Sequence, residues 1–167
     1  MGALRVLVFD WGDTLMRDFP GYSGPMARWP EVEVMPGARE ALQALVGEYV
    51  CCVASNAGSS DGRLMEEALR RGGIGGFFQH FFTSSELGYS KPDVRFFREV
   101  VRRLGVEPYE ALMIGNDYAR DIVPARSVGM RTVLCSDAAP ATDAPAADDV
   151  IASLSSLAAT IRGHTSS

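Results

Sequence analysis

Acidic, hydroxyl and basic side chains occur in this chain directly after apolar runs or just before a helical pattern. Asp10 ends the first apolar run, residues 4–9, and Ser55 ends a second one. Lys91 precedes a proline, and Asp117 follows a further apolar run. Carboxylates and a lysine suit an oxygen-ligated cation such as Mg²⁺ beside a phosphate, and a carboxylate can also attack phosphorus. These residue types indicate phosphoryl chemistry if the fold brings them together.

The apolar runs alternate with helical patterns, which predicts an α/β fold. Strand-like runs cover residues 4–9, 50–54, 81–83, 111–114, 131–135 and 150–151. Helical patterns lie between or after them at residues 36–45, 63–71, 92–104, 118–128 and 154–161. This alternation predicts a mostly parallel, Rossmann-like sheet covered on both faces, a three-layer αβα sandwich. Because parallel strands end at one edge of a sheet, the polar residues should converge there.

Composition favours a globular protein and excludes several classes of partner. The 167 residues suit one domain, residues 1–167, with a buried core. A net charge of −5 without a basic stripe argues against nucleic acid as a partner. No apolar stretch approaches the roughly 18 residues that cross a bilayer, so we expect no membrane partner. Three cysteines without metal-binding spacing, and no secretory-signal pattern, predict reduced thiols and a cytoplasmic location.

Two segments lie outside the strand-helix alternation. Residues 16–35 contain three prolines and several bulky apolar side chains. A loop of this length directly after Asp10 is expected to form a flap with a role at the site. The Ser/Thr-rich end, residues 163–167, is expected to fray.

The four polar groups lie in segments that resemble the motifs of the haloacid dehalogenase-like (HAD) hydrolase superfamily. Its motifs are an apolar strand ending in D-x-D-x-T, a strand ending in Ser or Thr, a Lys, and G-D-x-x-x-D or G-D-x-x-x-x-D. The segments here are VFDWGDTL, VASN, SKPD and IGNDYARD. Each motif alone is weak, but all four occur in order between residues 4 and 135, nearly the whole domain. The resemblance implies a HAD-like core and a Mg²⁺-dependent hydrolase.

The resemblance assigns a role to each motif residue by position. Asp10 matches the nucleophile, which also binds Mg²⁺, and Lys91 matches the lysine that balances charge. Thr14 and Ser55 match the hydroxyls that bind phosphate. Asn56 follows the motif serine and is expected to contact substrate.

The metal ligands are assigned in the same way. Gly12 matches the residue whose backbone carbonyl binds the metal. Asp117 is our choice for the second metal carboxylate, and Asp121 is expected to orient Lys91 or a metal-bound water. Asn116 leaves this choice open, because it occupies the position where the five-residue form of the motif has its metal aspartate.

Gly12 is the departure from the family pattern. Family phosphatases place a second aspartate there, the general acid and base for the leaving group and for water. Asp13 is a candidate substitute, although adjacent side chains in an extended loop diverge.

Three functions therefore stay open. The main hypothesis is a phosphatase that forms an aspartyl phosphate on Asp10. The alternatives are a phosphonatase-like or other acid-independent HAD hydrolase, and a catalytically impaired domain that binds phosphorylated ligands or protein partners. Dehalogenation is disfavoured, because dehalogenating relatives lack the acidic motif kept here in Asp117 and Asp121. A response-regulator receiver is a weaker rival, since its acceptor aspartate normally follows a middle strand.

The spacing between motifs predicts a core without a cap domain. The gap between the first two motifs has room for a flap and one helix, and the gap between the second and third is also short. Open sites in relatives often accept bulky substrates or borrow a lid from a partner subunit. We therefore expect a phosphorylated small molecule or macromolecule as substrate, and the resemblance leaves self-association open.

Overall fold

One parallel sheet forms the centre of the protein. The computed structural model describes residues 2–138 and 141–165. Within these ranges the strands are β1 (Val6–Phe9), β2 (Val50–Ser55), β3 (His80–Thr83), β4 (Ala111–Gly115), β5 (Arg131–Cys135) and β6 (Asp149–Ile151). Every neighbouring pair is parallel, in the spatial order β3-β2-β1-β4-β5-β6.

Helices cover both faces of this sheet. They are α1 (Ala38–Leu45), α2 (Gly62–Arg71), α3 (Ser84–Leu87), α4 (Val94–Leu104), α5 (Val123–Ser127) and α6 (Leu157–Thr165), with a π-helical turn, Tyr118–Ile122, directly before α5. Strand β1 supplies side chains to both cores: Leu7 and Phe9 pack on one face, and Val6 and Val8 on the other. The three-layer α/β fold expected from the sequence is confirmed.

The strand order creates a crevice beside β1. From β1 the chain moves outward through β2 to β3, then returns to pair β4 with the other side of β1. In open α/β sheets, ligands bind at such a reversal, outside the carboxyl ends of the strands. The residues that follow β1 and β4 are therefore in the position where a site is expected.

Several boundaries differ from the sequence prediction by a few residues. The first strand begins at Val6, two residues later than expected, and the helix predicted for residues 118–128 opens with the π-helical turn. Residues 163–165, which we expected to fray, complete α6. There His164 Nε2 lies 2.5 Å from an Asp149 carboxylate oxygen, a contact between α6 and β6 that holds this end of the helix. The rest of the predicted tail, residues 166–167, lies outside the described residues.

No cap domain is inserted between β1 and β3, a part of the chain that the structure describes in full. The segment between β1 and β2, all of it described, holds the flap of residues 16–35 and α1, and the segment between β2 and β3 holds α2 and a 3₁₀ turn. In the part of the chain that the structure describes, no helix is long and apolar enough to cross a membrane.

The flap packs against α2. The Arg71 guanidinium, on α2, donates hydrogen bonds to the backbone carbonyls of Met26, Ala27 and Trp29. Met26 and Ala27 are buried in a 3₁₀ turn. The flap is thus packed against the rest of the domain. The sequence alone identified these residues only as a long loop.

Candidate active site

Asp10 follows the central strand, at the point where sheet pairing gives way to a tight turn. Its backbone N–H still donates to the Ile114 carbonyl in β4, at 2.9 Å. The Trp11 carbonyl then accepts from the backbone N–H groups of three residues, Thr14 among them. This turn brings the Thr14 hydroxyl back to Asp10, where its oxygen lies 3.4 Å from Asp10 Oδ2.

Lys91 is the only lysine in the sequence, and it is buried beside Asp10. Its ammonium donates to Asp10 Oδ1 at 2.8 Å, to Asp121 Oδ1 at 2.6 Å and to the Ala54 carbonyl at 3.1 Å. These acceptors use all three protons of the ammonium. Asn56 fixes the backbone here, because its side chain accepts from the Lys91 N–H at 2.8 Å and donates to the Lys91 carbonyl at 3.0 Å. The Asn56 amide, expected to contact substrate, is therefore engaged in positioning Lys91.

Burial and charge oppose each other at this cluster. Burial lowers the pKa of the Lys91 ammonium, but the charges of Asp10 and Asp121 outweigh it, and the pKa lies above its ordinary value. Burial raises the pKa of Asp121 to about 6; Asp10 adds to the rise and Lys91 opposes it. Lys91 is thus a fixed cation. With both carboxylates ionised, the three groups carry one net negative charge.

The two residues after β4 point to different partners. Asn116 Oδ1 accepts from the Thr14 hydroxyl at 3.2 Å, the same hydroxyl that lies beside Asp10. Asp117 instead caps the following helical turn: its carboxylate accepts from the Arg120 N–H at 3.0 Å, and its side chain is 45% exposed. Asn116, rather than our sequence-based choice Asp117, is therefore linked to Asp10 through Thr14.

Asp121 reaches the cluster from the π-helical turn. Its side chain is 1% exposed, and Oδ2 accepts from the Asp117 N–H at 3.2 Å. The end of β4 must be a glycine, because a Cβ on Gly115 would lie 2.3 Å from Asp121 Oδ2. The expected contact between Asp121 and Lys91 is present.

A cavity of about 230 Å³ lies beside the turn after Asp10, where Trp11 and Gly12 line it. Ser55 is buried on its wall, and the Ser55 hydroxyl accepts from the Ala57 N–H at 3.2 Å. The cavity is lined by residues of the turn after Asp10, of the flap and of the segment from Ser55 onward: Trp11, Gly12, Asp18, Gly24, Met26, Trp29, Ser55, Ala57, Ser59 and Ser60. The cavity lies between the flap and the ends of β1 and β2, so it can accept a group attached to a phosphate held at Asp10.

Sequence reasoning missed part of this cavity wall. Asp13 is in the left-handed region, with φ of 58°, and its carboxylate accepts from the Asp18 backbone N–H at 2.9 Å. The Asp13 side chain is thus turned toward the flap backbone, and Asp18 reaches the cavity rim instead. No periodic pattern marks Asp18, Ser59 or Ser60, because all three lie in irregular loops.

The comparison with known protein families identifies the family of this chain. A model described as haloacid dehalogenase-like hydrolase matches residues 22–129, well over half of the chain. The chain belongs to that family. Its α/β core, its four motifs and its buried Lys91 are consistent with this membership.

Similar proteins include enzymes named as phosphatases. A glyceraldehyde 3-phosphate phosphatase of Methanothermobacter thermautotrophicus is 43% identical over 68 residues, covering 41% of this chain and 30% of that protein. The haloacid dehalogenase-like hydrolase domain-containing protein 3 of Xenopus laevis is 32% identical over 109 residues, covering 64% of this chain and 43% of that protein. The chain thus spans less than half the length of these curated relatives.

Solved structures share the fold over nearly the whole chain. An uncharacterized protein from Listeria monocytogenes serotype 4b has a TM-score of 0.80 at 24% identity, covering 98% of this chain and 100% of its own. The putative HAD-hydrolase YfnB from Bacillus subtilis, in a magnesium-bound form, has a TM-score of 0.77 at 16% identity, covering 96% of this chain and 100% of its own. At these identities the likeness concerns the fold.

Proposed function

We propose that this HAD-family chain is a Mg²⁺-dependent phosphatase that forms an aspartyl phosphate on Asp10. The observation that carries the proposal is the buried Lys91 ammonium, which contacts the Asp10 and Asp121 carboxylates at 2.8 and 2.6 Å. Because all three protons of the Lys91 ammonium are used in hydrogen bonds, the role of Lys91 is electrostatic. It holds one Asp10 oxygen while the other stays available to phosphorus. The phosphatase names of several relatives support the same reaction class.

The donor groups beside Asp10 suit Mg²⁺. Within the described residues there is no cluster of three or more His, Cys, Asp or Glu side chains that could hold a metal. An ion here would use few side chains and keep several waters, which is the usual mode for Mg²⁺. In this proposal Asp10, the Asn116 amide oxygen and the Gly12 carbonyl hold it, with Asp117 as the alternative to Asn116. Bound Mg²⁺ would neutralise charge on the phosphate oxygens.

The charge at the site supports the proposed requirement for a cation. Asp10, Asp121 and Lys91 sum to one negative charge when both carboxylates are ionised, and a phosphate ester would bring two more. Lys91 is already committed to the carboxylates, so it cannot balance the substrate alone. A divalent cation would offset the excess, as in other phosphoryl-transfer sites.

The remaining residues bind and orient the phosphoryl group in this proposal. The Ser55 hydroxyl is suited to the phosphate oxygens, whereas the backbone N–H groups of residues 13–16 donate within the turn after Asp10. An Asp10 oxygen attacks phosphorus and the ester P–O bond breaks. Water then attacks the phosphorus of the aspartyl phosphate, which releases inorganic phosphate and restores Asp10.

A second candidate function follows from Gly12, which supplies no proton donor. It is a catalytically impaired domain that binds phosphorylated ligands, or an acid-independent HAD hydrolase. To separate these functions, release of inorganic phosphate from 4-nitrophenyl phosphate and small alkyl phosphates would be measured with Mg²⁺ and with EDTA. We expect Mg²⁺-dependent release. Binding of inorganic phosphate by calorimetry without any hydrolysis would favour the impaired domain.

A further inference from the structure

Hydrolysis of a phosphate ester requires a group that donates a proton and later accepts one. When an alkyl ester P–O bond breaks, the departing oxygen needs a proton, and attacking water must later lose one. Gly12 has no side chain, and Asp13 uses a carboxylate oxygen to accept from the Asp18 backbone. Among the described residues that line the cavity, Asp18 is the one with an acidic or basic side chain.

We propose that Asp18 is the general acid and base of this site, acting from the flap in the space left open by Gly12. This inference rests on the proposed phosphatase function. Asp18 would donate a proton to the leaving group and take one from water. The cavity that it borders would hold the leaving group.

The geometry around Gly12 supports this assignment. A Cβ built on Gly12 would meet a single side-chain atom within 4 Å beyond its chain neighbours, the Asp18 Cβ at 3.8 Å. A carboxylate on residue 12 and the Asp18 carboxylate would therefore extend from Cβ atoms that lie close together. Rotation about the Asp18 side-chain bonds lets the Asp18 oxygens enter the space that a carboxylate on residue 12 would occupy. Both residues line the cavity together with Ser55.

The backbone holds Asp18 in place while its carboxylate stays available. The turn after Asp10 folds the chain back so that Gly12 and Met16 form a bridge, and Asp13 fixes the Asp18 N–H at 2.9 Å. On the other side, Met16 pairs with Val34. Within residues 2–138 and 141–165, no hydrogen bond or ion pair engages the Asp18 carboxylate.

The proton balance of the two half-reactions is complete. In the first, Asp10 attacks phosphorus, the ester P–O bond breaks, and the carboxylic acid of Asp18 gives its proton to the departing oxygen, which leaves as an alcohol. In the second, the Asp18 carboxylate takes a proton from water as that water attacks phosphorus. The bond between phosphorus and Asp10 then breaks, so both aspartates return to their starting forms.

The test compares Asp18→Asn with wild type on two esters, 4-nitrophenyl phosphate and glycerol 3-phosphate, in Mg²⁺. Because kcat/KM reports the steps up to phosphoenzyme formation, it isolates proton donation to the leaving group. We expect Asp18→Asn to lower kcat/KM for the alkyl ester by about 10²-fold or more, with little change for the aryl ester, whose leaving group needs no proton. Glu33→Gln, in a flap carboxylate paired with Arg17 outside the cavity, is the matched control and should change neither value.

A rescue variant checks that the effect belongs to the carboxylate. Adding Gly12→Asp to Asp18→Asn should restore part of the alkyl ester rate, since the new carboxylate enters the same space. An equal loss on both esters, or no loss on either, would overturn the role of Asp18. In both cases, the phosphatase proposal still stands if wild type hydrolyses the esters and Asp10→Asn does not. If wild type hydrolyses neither ester in Mg²⁺, the proposed function itself fails.

Discussion

Lys91 Nζ lies 2.6 Å from Asp121 Oδ1, and this contact ties the helical turn after β4 to the lysine that also holds Asp10. Asp121 is almost fully buried, so the ammonium is held by a carboxylate that solvent does not reach. The same ammonium reaches Asp10 at 2.8 Å. The position of Asp10 therefore depends on a residue more than a hundred positions away in the sequence.

Replacing Lys91 by Met should destabilise the protein by about 3–5 kcal/mol near neutral pH, because two buried carboxylates lose their cation. The pKa of Asp121, already raised to about 6, should rise further without Lys91. A carboxyl whose pKa is higher in the folded state than in the unfolded state stabilises folding at low pH and loses that contribution as pH rises. The free energy of unfolding of the variant should therefore increase as the pH is lowered from about 7.5 to about 5.

Urea unfolding of Lys91→Met in EDTA at these two pH values would check this. Arg102→Met is the control, because Arg102 pairs with Glu99 on the exposed side of α4; it should change stability little at either pH. A Lys91→Met protein as stable as wild type at neutral pH would contradict the coupling between Lys91 and the two carboxylates.

Asp10→Asn should abolish turnover and leave the fold intact. The amide is a poor nucleophile and a weaker cation ligand, but it is nearly the same size as the carboxylate. Steady-state hydrolysis of 4-nitrophenyl phosphate, with circular dichroism as the check on folding, measures the effect. Asp137→Asn, an exposed aspartate after β5, should retain the wild-type rate. Mg²⁺-dependent hydrolysis by Asp10→Asn near that rate would refute nucleophilic catalysis by Asp10.

The fold could be predicted from the sequence because its signals are local. Buried β-branched runs, helical periodicity and a glycine or proline at element ends each act within a few residues. Parallel topology then places the strand ends at one edge, so proximity of Asp10, Lys91 and Asp121 followed from element order. The π-helical turn, by contrast, has no periodic signature.

Side-chain direction in loops could not be predicted in this way. Asn116 and Asp117 are adjacent, and motif spacing cannot tell which one faces Asp10 and which one caps a turn. Asp18 was missed for a related reason: it approaches Gly12 because the chain reverses after Trp11 and Asp13 adopts a positive φ. Such reversals depend on individual hydrogen bonds and leave no pattern in composition.

The different directions of Asn116 and Asp117 predict unequal roles in Mg²⁺ binding. Asn116→Asp should lower the Mg²⁺ concentration that gives half-maximal activity by about tenfold, or about 1.4 kcal/mol, because it adds a charged oxygen beside Thr14 and Asp10. Asp117→Asn should leave that concentration nearly unchanged, and asparagine still caps the helical turn. Magnesium titrations of both variants provide the comparison. A large rise in that Mg²⁺ concentration in Asp117→Asn would return the ligand role to Asp117.

Gly115→Ala should disable the site through Asp121. The new Cβ would lie 2.3 Å from Asp121 Oδ2, and β4 is fixed by β1 on one side and β5 on the other. Asp121 must therefore move away from Lys91. Misplacement of a catalytic group by about 1 Å can cost about 10²-fold in rate, so we expect a loss of that order in kcat. Gly76→Ala, where a Cβ meets nothing within 4 Å, is the matched control.

A double-mutant cycle identifies the clash as the cause of the Gly115→Ala effect. Asp121→Ala removes the two nearest atoms that the new Cβ would strike, Oδ2 and Cγ, and leaves the Cβ of residue 121 at 2.7 Å. Gly115→Ala should therefore cost less free energy of unfolding in that background than in wild type. Contacting residues of this kind typically show interaction energies of about 0.5–3 kcal/mol. Urea unfolding of wild type, both single variants and the double variant measures this energy. If the two costs simply add, the Asp121 carboxyl group does not explain the requirement for glycine at residue 115.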